Sequence, residues 1–89
     1  MKTIPFTGSV VAQDTGAVVY QRVRGVLYIE PGRWYGSFTI ESAEYPKPMP
    51  GGRIVADAGW AADFTERLLK LPAGVVEFEG AGPAPRPWP

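Results

Sequence analysis

Apolar and polar residues alternate along much of this chain with the period of a β-strand, most cleanly between Trp34 and Glu41. Trp34, Gly36, Phe38 and Ile40 share one face, and Tyr35, Ser37, Thr39 and Glu41 share the other. That is the pattern of a strand with one face in a core. The preceding stretch, Val18 to Glu30, is dense in β-branched and aromatic residues. Val19, Val23, Leu27 and Ile29 fall on its odd positions, while Tyr20, Arg22, Arg24, Val26, Tyr28 and Glu30 take the even ones. This is long for one strand, and Gly25 is the expected bend.

The two stretches predict a hairpin turning at Pro31-Gly32. Inner-face pairs are then Ile29 with Trp34, Leu27 with Gly36, Gly25 with Phe38 and Val23 with Ile40. Outer-face pairs are Tyr28 with Tyr35, Val26 with Ser37, Arg24 with Thr39 and Arg22 with Glu41. A one-residue slip would turn one apolar face to water while its partner stayed inside. Two-residue hairpin loops favour type I′ or II′ turns, which L-proline at the first central position forbids. The reading therefore places a four-residue loop over Glu30 to Arg33, which keeps the same face matching.

The rest of the chain is punctuated by glycine and proline into further short segments. Ile4 to Ala12 alternates as a strand, with Gly8 a candidate bulge and Pro5 marking a sheet edge, because proline cannot donate to a ladder. Gln13-Asp14-Thr15-Gly16 is a turn, and Ser42 to Gly52 is a proline-rich loop held near polyproline II. Arg53 to Asp57 is a short strand followed by a turn at Ala58-Gly59. Trp60 to Leu71 reads as a strand, with a short helix near 61–71 as the alternative. Phe64, Leu68 and Leu71 recur at helical spacing, and Asp63 with Glu66 would make a capping box. Val75 to Glu79 is a last strand with Val76 and Phe78 inward.

The fold class is thus all-β: a small antiparallel barrel or compact sandwich of five to six short strands. Residues 1–80 form the single domain, and 81–89 a proline-rich, disordered or extended tail. The expected core is Ile4, Phe6, Val10, Val23, Leu27, Ile29, Trp34, Phe38, Ile40, Ile54, Phe64, Leu68, Val76 and Phe78.

Composition narrows the chemistry. The chain has no histidine and no cysteine. That removes disulfides, ordinary zinc sites and Ser-His-Asp or cysteine nucleophile machinery built from this chain alone. Three well-separated aspartates and no asparagine leave no calcium loop, so no metal and no cofactor are implied. The carboxylate pairs Asp57/Asp63 and Glu77/Glu79 read as surface charges. Gly51-Gly52-Arg53 and Gly80-Ala81-Gly82-Pro83 lack the context of a nucleotide fingerprint. Nine basic residues balance nine acidic ones, so the bulk positive field of a nucleic-acid binder is missing. No apolar run approaches bilayer length, and a cytoplasmic protein is expected.

The candidate binding residues are Tyr20, Arg22, Arg24, Tyr28, Arg33 and Tyr35, on the outer face of the hairpin and at its tip. Tyrosine and arginine dominate protein interfaces, and interleaved on a sheet they also serve single-stranded nucleic acids. The functional expectation is a non-catalytic interaction or structural module, with a protein partner or homo-oligomer. A single-stranded nucleic-acid-binding barrel is the alternative, and a small enzyme or enzyme subunit ranks behind both. The tail, Pro83 to Pro89, has the composition of a proline-rich ligand but is read as inert.

Overall fold

A computed structural model describes residues 2–42, 45–46 and 49–85. Six strands close into one antiparallel barrel, so of the two predicted architectures the barrel is the one formed. They are β1 (Lys2–Val11), β2 (Val18–Glu30), β3 (Arg33–Ile40), β4 (Gly51–Ala56), β5 (Ala61–Lys70) and β6 (Val75–Gly80). Around the barrel the order is β1-β2-β3-β6-β5-β4, with β4 returning to β1. The chain thus forms two three-stranded meanders, β1-β2-β3 and β4-β5-β6, joined along the β3–β6 and β1–β4 seams. The stretch read as strand or helix is strand β5; Asp63 and Glu66, the would-be caps, pair with Arg53 and Phe78 in its ladders instead.

The hairpin has the predicted register, from Glu30↔Arg33 through Val23↔Ile40. Its loop is shorter than expected. Glu30 and Arg33 are already paired, leaving Pro31-Gly32 as a two-residue turn. Gly32 has φ +82°, the value required at the third position of a type II turn, where proline is welcome at the second. An unprimed turn thus closes the two-residue loop that L-proline denies to the primed ones. At the open end Glu41 N–H donates to Arg22 C=O at 2.9 Å, but the side-chain partner of Glu41 is Arg24, Nε to Oε1 3.4 Å, rather than Arg22.

β2 changes faces at a different place from Gly25. Gly8 pairs with Val23 and Val10 with Tyr20, so two steps on β1 match three on β2. This bulge at Gln21-Arg22 reverses the side-chain alternation. Tyr20, expected outside, is therefore fully buried along with Val23. Another slip falls in β5, where Glu66 pairs with Phe78 but Leu68 with Glu77. The extra residue, Arg67, sends Leu68 outward, 48% exposed, and Leu69 inward against the core. Leu68 is thus the one expected core residue the barrel leaves in solvent.

Tyr20, Phe38, Phe64 and Phe78 are fully or almost fully buried in the barrel. Phe38, Phe64 and Phe78 meet pairwise with ring centroids 5.3–5.7 Å apart. Such aromatic pairs are each worth about 0.5–1.5 kcal/mol beyond their buried area. Ala56, Trp60 and Ala62 also enter the core, Trp60 by an edge contact with Phe6 at 5.5 Å. Ile4, Ile29 and Ile40 pack against it half-buried.

Beyond β6 the chain stays on the barrel through the described part of the tail. Trp34 Nε1–H donates to Gly82 C=O at 2.9 Å, and Pro85 is buried. The last four residues of the expected tail, with Ala43, Glu44, Lys47 and Pro48 of the expected polyproline loop, lie outside the described residues.

Candidate functional site

Ladder geometry assembles a polar aromatic face on the outside of β2, β3, β6 and β5. Tyr28 and Tyr35 stand directly opposite, and their rings lie 5.3 Å apart at 31°. The Tyr35 hydroxyl donates to Glu30 Oε2 at 2.8 Å. The Arg33 guanidinium sits 4.4 Å from the centre of the Tyr35 ring, within cation–π range.

The β3–β6 seam then places Glu79 opposite Tyr35 and Glu77 opposite Ser37. Glu79 is shared by two arginines: Arg33 Nη2 reaches Oε1 at 3.1 Å, and Arg67 Nη1 reaches Oε2 at 3.3 Å. Arg67 reaches this face by the ordinary alternation of β5, which puts it on the side opposite the buried Ala62 and Phe64. Lys70 pairs with Glu77 at 2.6 Å alongside. Tyr28, Arg33, Tyr35, Arg67, Glu77 and Glu79 line an open groove of about 430 Å³. The charges on and around the groove balance, with Arg33, Arg67 and Lys70 set against Glu30, Glu77 and Glu79.

Tyr35 titrates above the usual tyrosine value. The hydrogen bond to Glu30 favours the protonated phenol; desolvation and the Glu30 charge act in the same direction, while Arg33 opposes them.

Three of the six residues singled out from the sequence, Tyr28, Arg33 and Tyr35, come together here. Arg24 is exposed farther along β2 and tied to Glu41, and Arg22 is exposed in the bulge. Tyr20 faces the core, so it is corrected from a surface contact to a structural residue. Sequence reasoning missed Glu30, Arg67 and Glu79 as members of the face. Glu79 was legible as outward, but its neighbours depend on a seam between distant strands.

The carboxylates of Asp57 and Asp63 have structural partners. Asp57 Oδ2 accepts from Thr7 Oγ1 at 2.9 Å, and Asp63 pairs with Arg53 at 2.9 Å. Among the described residues there is no cluster of three or more acidic residues that could hold a metal ion, and no helix long and apolar enough to cross a membrane. No family model matches this chain, and no curated protein or solved structure is significantly similar to it.

Proposed function

We propose that this chain is a non-catalytic protein-interaction module whose contact face is the Tyr28/Tyr35 pair framed by Arg33, Arg67 and Glu79. The observation that supports this reading is two tyrosine rings side by side on the outer wall of a closed barrel, bracketed by arginines. Tyrosine and arginine are the residue types on which interface energy concentrates. Paired charges of both signs suit a protein surface, including a second copy of this chain, better than a polyanion. Arg33 and Arg67 share a carboxylate, and Arg24 and Arg53 each have one, so the field that would hold phosphates is largely neutralised. The cytoplasm is the compartment this reading assigns, since so small an exported domain ordinarily carries disulfides.

The test compares wild type with Tyr28→Ala/Tyr35→Ala in quantitative affinity capture and in sedimentation. Loss of a partner or of self-association, with an unchanged circular dichroism spectrum, is the expected result. An identical partner set and identical sedimentation overturn the reading. Oligonucleotide binding that falls steeply with salt replaces it with the nucleic-acid alternative.

A further inference from the structure

The β1–β4 seam is incomplete, and the residue at its gap is a proline. The ladder runs from Val11↔Arg53 to Gly8↔Ala56. One more rung follows, Asp57 N–H to Thr7 C=O at 2.8 Å, reinforced by Thr7 Oγ1–H to Asp57 Oδ2 at 2.9 Å. The chain then turns back through Ala58-Gly59. Lys2 to Phe6 remain laddered to β2, from Lys2↔Ile29 to Phe6↔Gly25, but have no described strand on their other side.

Alternation along the strands identifies which backbone groups face that open side. The tight Glu30↔Arg33 turn and the Glu41 N–H to Arg22 C=O bond direct the even residues of this part of β2 toward β3. Its odd residues therefore bond to β1, and their partners are Ile4, Phe6 and Gly8. Thr3, Pro5 and Thr7 point the other way, and the Thr7 carbonyl's bond to Asp57 gives the same parity independently. The open edge thus consists of the backbone groups of Thr3 and Pro5, and Pro5 has no N–H.

We propose that Pro5 guards this edge against pairing with a second copy of the chain. Two such edges brought together antiparallel would lack a donor in each copy at the centre of the new ladder. Without the proline the edge would be a good template, because beside it Ile4, Phe6 and Trp60 help to line a groove of about 420 Å³. Lys2, at the start of the same strand, adds a charge of the kind that blunts exposed edges. This edge lies on β1, on the side away from β2, and its pairing does not depend on the tyrosine face.

Pro5→Thr restores the donor and a residue of high strand propensity. Sedimentation should show self-association tightened about tenfold or more over wild type, the scale of two recovered backbone hydrogen bonds. The Thr3 amide, which faces the open side, should gain a similar factor of protection from hydrogen exchange on association. Pro5→Ala supplies the same donor with the smallest side chain and serves if the threonine variant folds poorly. Wild-type sedimentation in both variants overturns the proposal, and so does association that leaves the Thr3 amide unprotected.

Discussion

The Trp34 indole occupies the space where a side chain on Gly80 would stand. A Cβ built on Gly80 falls against the indole ring, whose Nε1–H is already committed to the Gly82 carbonyl at 2.9 Å. Trp34 also meets Phe78 edge-on at 6.2 Å, so moving the ring disturbs the core. Gly80→Ala is therefore expected to cost about 1–3 kcal/mol, the range for forcing extra atoms into a packed site. Urea unfolding measures it, and an unchanged midpoint would show that the indole can step aside freely.

The Glu30–Tyr35 contact has a signature at alkaline pH. Glu30 holds the Tyr35 proton, so the folded-state value lies above the unfolded one. The stabilisation this contact gives is fully present below the unfolded tyrosine value of about 10 and is lost as pH rises through the higher folded value. In an NMR titration of the ring carbons, Tyr35 should titrate above that reference, and Glu30→Gln should lower it. A Tyr35 curve unmoved by Glu30→Gln would mean that the hydrogen bond is not its cause.

Glu79 serves as the local neutraliser of Arg33 and Arg67. All three side chains are well exposed, at 40%, 55% and 63%, so the ion pairs contribute little to stability, about 0–1 kcal/mol. Glu79→Gln should leave the unfolding midpoint nearly unchanged while freeing two arginines beside a tyrosine pair. The expected gain is salt-sensitive retention on a polyanion column that wild type lacks. Equal retention of the two proteins would show that Glu79 does not control the charge of this face.

Glu66 lies on β5 and fastens Met49 and Pro50, the residues that lead into β4. Its Oε2 accepts the Met49 N–H at 3.3 Å, its own N–H donates to Pro50 C=O at 3.1 Å, and Oε1 is buried without a partner. Glu66→Ala should accelerate hydrogen exchange at Met49 selectively. The global cost should be about 1–2 kcal/mol, since the stranded amide is partly offset by removal of an unpartnered oxygen. Uniform acceleration across the strands would point instead to loss of the whole fold.

The parts of this fold that the sequence made legible are those governed by neighbours close in the chain. The hairpin register followed because one alternating segment fixes which residues face inward and Pro31-Gly32 fixes where the chain reverses. Tyr20 and Leu68 were misplaced because each lies beyond a bulge, at Gln21-Arg22 and at Arg67. A bulge inserts one residue with no side-chain type that betrays it. The candidate site was half legible for a related reason. Tyr28, Tyr35 and Arg33 belong to the hairpin, whereas Arg67 and Glu79 arrive across a seam whose pairing no local pattern encodes.

The two-meander layout also bears on how the chain folds. β1-β2-β3 and β4-β5-β6 each form by short-range pairing, but both remaining seams lie between the same two units. Bringing the units together once closes both, so the entropy of ordering the connection between them is lost in a single step. That step also unites Phe38 of the first meander with Phe64 and Phe78 of the second. In refolding the two halves should accordingly gain protection together, and pulsed hydrogen exchange would detect either meander forming alone. The barrel behaves as one hinge-less clasp: neither half has a core until the other arrives.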